Sequence, residues 1–317
     1  MNKNGQKILI LVAVLIIAFG LYYFFKQNIN KVRPVPNKTP AQDQVVNTAN
    51  PEPVVPVVTE IPEIGEYYLY TVSETDTVNK LKKELDVNGG DEKFKLVLAI
   101  NHIDSKFVGK GTKLVVPKTF PDNLQNFLLN YSPFPKNIPQ LNSVPKIILI
   151  SQKIQYIAAY ENGVLVYSAP VITGKKSTQT PNGLFTANWK AKKSTSTVDS
   201  SWILPWVVNL DNFDGISMHE YELPGYPASH SCIRMREIDA KWFYDFVNQW
   251  QLTPDGKSIA VHGTPVLIFD SYEYGKVRPW LNLAADSNHL NINENDLNNK
   301  LAPFMDKILN YAKEVVN

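Results

Sequence analysis

Among the 317 residues there is one cysteine, Cys232, in the run Ser229-His230-Ser231-Cys232-Ile233-Arg234, with a histidine two positions before it. A second histidine, His219, lies about a dozen residues upstream. A thiol and an imidazole are the nucleophile and base of acyl transfer through a thioester. A free thiol, with a pKa of about 8.5, is only slightly ionised at neutral pH, so such a site must place a base or a cation beside the sulfur. Two other readings use the same residues. A lone cysteine can be a small buried hydrophobe. His219, His230, Cys232 and His262 together have the donor types of a zinc site, although His230-x-Cys232 is not a usual zinc pair. No metal and no cofactor is expected.

The elements that must position these groups begin with a candidate anchor. Ile8 to Phe25 is uncharged and apolar, long enough to cross a bilayer as a helix, with Lys3 and Lys7 before it. Residues 1–25 are therefore expected to be a transmembrane anchor with a short tail. Cleavage near Ala18-Phe19-Gly20 is the alternative and would release a secreted form lacking residues 1–20. Export sharpens the reading of Cys232, because oxidising compartments favour paired cysteines, and an unpaired one is kept for an intermolecular link or for reactivity. A net charge of +2 with 32 dispersed basic residues excludes a nucleic-acid partner.

Residues 26–62, rich in Pro, Asn, Gln and Val, read as a semi-rigid linker. Residues 63–120 then run strand, helix, helix, strand, from Tyr68-Leu69-Tyr70-Thr71-Val72 through helical segments to Lys113-Leu114-Val115-Val116-Pro117. Tyr70-Thr71-Val72, Thr75-Asp76-Thr77, Asn101 and Gly111 to Pro117 make this block similar to the LysM module, although Thr75 stands where glycine is usual. The resemblance implies binding to glycan strands containing N-acetylglucosamine, and a small spacer domain without the binding groove is the alternative. A proline-interrupted connector, 121–145, precedes closely spaced strand signals over 146–270, with a hairpin at Asn162-Gly163. Ile238, Trp242, Phe243, Phe246, Val247 and Trp250 predict one amphipathic helix packed on the sheet. The fold class is thus a mainly β catalytic domain with one packed helix, plus the small α+β block and the anchor. Residues 271–317 form a largely helical extension to which no role is assigned.

The region 146–270 resembles the catalytic domain of L,D-transpeptidases, the YkuD-like family. The resemblance is carried by His219, by Ser229-His230-Ser231-Cys232-Ile233-Arg234, by Thr180-Pro181-Asn182-Gly183-Leu184-Phe185 and by Gly263-Thr264-Pro265-Val266. It implies a β-sandwich or barrel fold and a location on the envelope side of the bacterial cytoplasmic membrane. It also implies peptidoglycan stem peptides as partners, with Cys232 as nucleophile, His219 as base and His230 orienting. The amides of Ser231 and Cys232 become oxyanion donors, and Arg234, with Ser229 nearby, becomes either the holder of a stem-peptide carboxylate or one half of an internal salt bridge. Ser231 and Glu220 stand where the family has glycine. The alternatives are a carboxypeptidase or endopeptidase on the same fold, and a catalytically silent wall-binding protein. All this chemistry lies between His219 and Arg234, so deleting residues 1–120 is expected to leave turnover nearly intact. With His219 as an unperturbed base, the rate is expected to rise with pH near about 6.5.

Overall fold

The run Ile147-Ile148-Leu149-Ile150 shows no polar alternation, which is the pattern of a strand covered on both faces. The computed structural model describes residues 66–85, 91–120, 127–128, 130–196 and 199–316, and there β3 (Ile147–Ser151) is buried along its whole length. It lies in a five-stranded sheet of order β5-β4-β3-β13-β6, formed with β4 (Tyr156–Glu161), β5 (Val164–Pro170), β6 (Gly183–Thr186) and β13 (Pro265–Phe269). β3 pairs antiparallel with β4 and parallel with β13. The Asn162-Gly163 hairpin joins β4 to β5 with both residues at positive φ, 47° and 77°, as a tight primed turn requires.

One face of this sheet packs on a second, four-stranded sheet of order β10-β9-β8-β7. Its members are β7 (Lys190–Thr195), β8 (Ile203–Asp211), β9 (Ile216–Glu220) and β10 (Ile233–Met235). Ile148, Ile150, Ile157, Val266 and Ile268 from the first sheet meet Val208, Leu210, Ile216, Met218 and Ile233 from the second. The helix α3 (Glu237–Phe246) adds Ala240, Phe243 and Phe246 to this core. Two residues of the expected apolar stripe fall outside it. Ile238 is exposed, since five positions from Phe243 means a rotation of about 140° around the helix axis, and Trp250 lies beyond the helix end. β11 (Gln251–Leu252) and β12 (Ile259–Val261) form a separate two-stranded hairpin.

The opposite face of the five-stranded sheet is covered by both ends of the described chain. Strand β1 (Tyr67–Thr71) pairs antiparallel with β2 (Lys113–Pro117), and between them lie α1 (Val78–Leu85) and α2 (Glu92–Ile100). The buried Asn101 side chain ties the end of α2 to β2, donating to the Val97 and Val115 carbonyls and accepting from the Val115 N–H, each at 2.8 Å. From this block Tyr67, Leu96, Ile100 and Val115 enter one core with Ile147, Leu149, Ala158 and Leu267 of the sheet. The C-terminal extension contributes Trp280, fully buried, with Leu297 of α4 (Glu294–Leu301) and Ile308 of α5 (Met305–Val316). His102 stacks on Trp280 at a centroid distance of 4.0 Å.

Residues 58–317 accordingly cluster as a single unit, and the border at residue 120 separates two topologies without separating two cores. The block is thus packed into the remainder of the chain and does not hang from it. Removing it would uncover part of one face of the central sheet, the rest being covered by the C-terminal extension. The expected anchor at 1–25 and linker at 26–62 lie outside the described residues. Among the described residues no helix is long and apolar enough to cross a membrane.

Candidate active site

Strand β10 runs parallel to β9, with Ile233 opposite Met218 and Arg234 opposite His219. A parallel neighbour cannot be reached by a hairpin, so residues 221–232 form a crossover that brings the chain back to the start of β9. Extending the register by one position places Cys232 against Ser217. Side chains alternate between the faces of a strand, so Met218 and Ile233 enter the core while Ser217, His219, Cys232 and Arg234 share the other face. These four line a cavity of about 150 Å³ together with Ser229, His230 and Trp202.

His219 is buried, and its Nδ1 lies 2.8 Å from the carbonyl oxygen of Glu220. A carbonyl only accepts, so Nδ1 carries the proton and Nε2 keeps its lone pair. Burial holds its pKa down at about 4, with the Arg234 cation acting in the same direction against the Glu220 hydrogen bond. Burial pushes the Cys232 thiol up, which the Ser217 backbone N–H and Arg234 oppose without reversing. Both partners are thus neutral at pH 7. The thiol donates to the Gly215 carbonyl at 3.5 Å, not to His219, so the expected pair shares a cavity wall without being hydrogen-bonded to each other.

His230 meets the ammonium of Lys175, whose Nζ is 3.0 Å from Nε2. An ammonium only donates, so Nε2 accepts and Nδ1 bears the proton; that buried Nδ1 has no partner among the described residues. Burial first, then the cations of Lys175 and Arg234, lowers its pKa. The Arg234 guanidinium lies 4.4 Å over the Tyr221 ring and has no ion-pair partner among the described residues. Ser229 is buried, and its hydroxyl donates to the Cys232 carbonyl, closing the turn beneath the thiol. His262 belongs elsewhere, paired with Glu314 at 2.8 Å and stacked on Tyr311, so the four potential zinc donors do not converge. Among the described residues no cluster could hold a metal ion.

Ser231 takes φ = 78°, the left-handed conformation that glycine adopts freely. Thr180 braces it there: its Oγ1 accepts the Gly174 N–H and donates to the Ser231 carbonyl, both at 2.9 Å. A Cβ on Gly174 would stand 2.1 Å from the Thr178 carbonyl, so only glycine permits this approach. The amides of Ser231 and Cys232 take no backbone partner among the described residues. In sequence Thr180 stands within the Thr-Pro motif without a role of its own, and nothing local singles out Lys175, Trp202, Ser217 or Tyr221. The Thr-Pro motif carried a signal for Thr180 alone; the others are brought in by strand pairing and crossover.

The family model of the L,D-transpeptidase catalytic domain (YkuD) matches residues 145–268. No curated protein matches the chain. Among solved structures, an L,D-transpeptidase (Yku) from Stackebrandtia nassauensis is 19% identical, over 40% of this chain and 56% of that one, with a TM-score of 0.33. An L,D-transpeptidase from Mycobacterium smegmatis is 19% identical, over 40% and 59%, at 0.32. The Enterococcus faecium L,D-transpeptidase is 20% identical, over 39% and 49%, at 0.32. The chain thus spans about half to three fifths of the length of these structures. The region that holds Cys232, His219 and His230 carries an L,D-transpeptidase-family catalytic domain.

Proposed function

We propose that this chain is a membrane-anchored peptidoglycan L,D-transpeptidase acting through an acyl-enzyme at Cys232. The observation that carries the reading is the β9–β10 register, which sets Cys232, His219 and Arg234 on one face of one cavity. With Nδ1–H held by Glu220, the lone pair of His219 Nε2 takes the thiol proton as sulfur attacks the carbonyl of the third residue of a tetrapeptide stem. The resulting oxyanion meets the amides of Ser231 and Cys232; loss of one such donor elsewhere costs about 3 kcal/mol. Collapse breaks the peptide bond, the leaving D-Ala amine receives the proton from His219, and an acceptor amine then attacks the thioester and restores the thiol. Arg234 offers a guanidinium to a stem-peptide carboxylate. His230, held by Lys175, orients the turn.

The reading includes an anchor at residues 8–25, action on the envelope side of the membrane, and contact of residues 63–120 with glycan strands. Incubation of the exported part with a disaccharide tetrapeptide and an acceptor amine is the test. Cross-linked product together with free D-Ala is expected. Free D-Ala alone would make the chain a hydrolase on the same fold, and neither product would leave a wall-binding protein.

A further inference from the structure

The crossover that returns the chain from β9 to the nucleophile lies largely outside any regular element, and it is held from the N-terminal block. The Asp104 N–H donates to the Leu223 carbonyl at 2.7 Å, and the Leu223 N–H donates to Asp104 Oδ2 at 2.8 Å. Ile103 forms a β-bridge with Pro224, and Lys106 pairs with Glu222. Gly225, at φ = 82°, lets the crossover lie against Ile103, since a Cβ there would stand 3.3 Å from Ile103 Cδ1. Ile103 and Leu223 are both almost wholly buried. A paired backbone and carboxylate clamp, flanked by a bridge and an ion pair, fixes a segment more tightly than its sequence could.

Two residues before the clamped Leu223 stands Tyr221, whose N–H donates to the Met235 carbonyl at 3.1 Å and whose ring supports the Arg234 guanidinium. Tyr221 is thus fixed on one side by β10 and on the other by Asp104. We infer that Asp104 is a positioning residue for the chemistry at Cys232, acting through Leu223 and Tyr221 to hold the Arg234 guanidinium beside the thiol. The inference rests on the reading of Arg234 as the group that meets an anionic part of the acyl donor. It makes the N-terminal block part of the machinery that sets substrate preference.

The experiment uses the exported chain and two halides. Cys232 is the only thiol, so S-alkylation located at cysteine by peptide mass spectrometry reports on it alone. Iodoacetate carries a carboxylate and iodoacetamide does not, so their rate ratio measures the Arg234 cation at the sulfur while general exposure cancels. Arg234→Met sets the floor of that ratio. Asp104→Ala, which leaves the Leu223 N–H without its acceptor, is expected to lower it about three- to tenfold. Asp104→Asn keeps an acceptor oxygen and is expected to restore it, and Lys106→Ala, losing only an exposed ion pair, to leave it unchanged. Gly225→Ala pushes the crossover off Ile103 from the other side and is expected to lower the ratio independently, which keeps the test valid should Asp104→Ala fold poorly. A wild-type ratio in both Asp104→Ala and Gly225→Ala overturns the inference, as does an equal fall in Asp104→Asn and Asp104→Ala. The probes are halides, so a chain that fails to release D-Ala from a tetrapeptide still reports on the clamp.

Discussion

The two faces of the five-stranded sheet are equally apolar and equally buried, yet they serve different ends. On one face Ile148, Ile150 and Val266 meet the sheet whose far side carries His219, Cys232 and Arg234. On the other, Ile147, Leu149 and Leu267 meet the N-terminal block and the C-terminal extension, which bring no nucleophile or base to the cavity. The difference teaches that the second face is a condition of the first. The central strands β3 and β13 of this mixed sheet read as continuous apolar runs, the pattern of strands covered on both sides.

The largest expected effect would break the comparison outright. A chain lacking residues 1–120 is expected to lose its cooperative thermal transition, because Ile147, Leu149 and Leu267 lose their cover. Circular dichroism during heating checks this, and a native-like transition would mean the second face is dispensable. Next, His219→Asn removes the proposed base from the chemical face alone. Acylation of Cys232 by a carbapenem, followed by mass spectrometry, is expected to slow by about two to four decades with the melting temperature little changed. Trp280→Ala is the counterpart on the other face, expected to cost about 3–5 kcal/mol in urea unfolding while leaving the alkylation chemistry of folded Cys232 intact.

A smaller effect concerns pH. Burial holds His219 near pKa 4 and His102 near 3, both below the unfolded value of 6.5. The unfolded chain therefore takes up protons first as pH falls, so the stability from neutral imidazoles is complete above pH 6.5 and is lost progressively toward pH 4. His102 lies on the block-facing side and His219 on the chemical side, so each face contributes up to one proton to the linkage. Urea midpoints measured from pH 7.5 to 4.5 are expected to fall, and His102→Gln to reduce the slope. The rate profile follows from the same burial. The ascending limb expected near 6.5 moves down toward about 4, leaving acylation nearly flat between pH 5.5 and 7.5. A limb at 6 to 7 would mean either an unperturbed His219 base or a preformed thiolate-imidazolium pair.

The smallest effect sharpens the local picture. Ser231 sits at φ = 78°, which costs a residue with a side chain about 1 kcal/mol relative to glycine. Ser231→Gly is expected to raise stability by up to about that amount and to leave carbapenem acylation at Cys232 within about twofold, as calorimetry and mass spectrometry would show. A large loss of acylation would assign the serine hydroxyl a role beyond its 3.4 Å contact with the Thr178 carbonyl.

By itself the sequence determined the inventory of reactive groups and the local turns. A single thiol after Ser-His-Ser singles out the candidate nucleophile whatever surrounds it, Asn162-Gly163 dictates its hairpin, and the strand, helix, helix, strand order of 63–120 follows from short-range pattern. Tertiary structure alone decided how Cys232 and His219 share a cavity, since that depends on a parallel register reached through a crossover. It also decided the protonation states, because burial is imposed by residues remote in the chain. The fusion of the N-terminal block to the central sheet was equally beyond local reading. Apolar residues such as Tyr67, Leu96 and Val115 announce that a face will be buried, but the partner that buries it is chosen by complementarity between segments that neither sequence pattern contains.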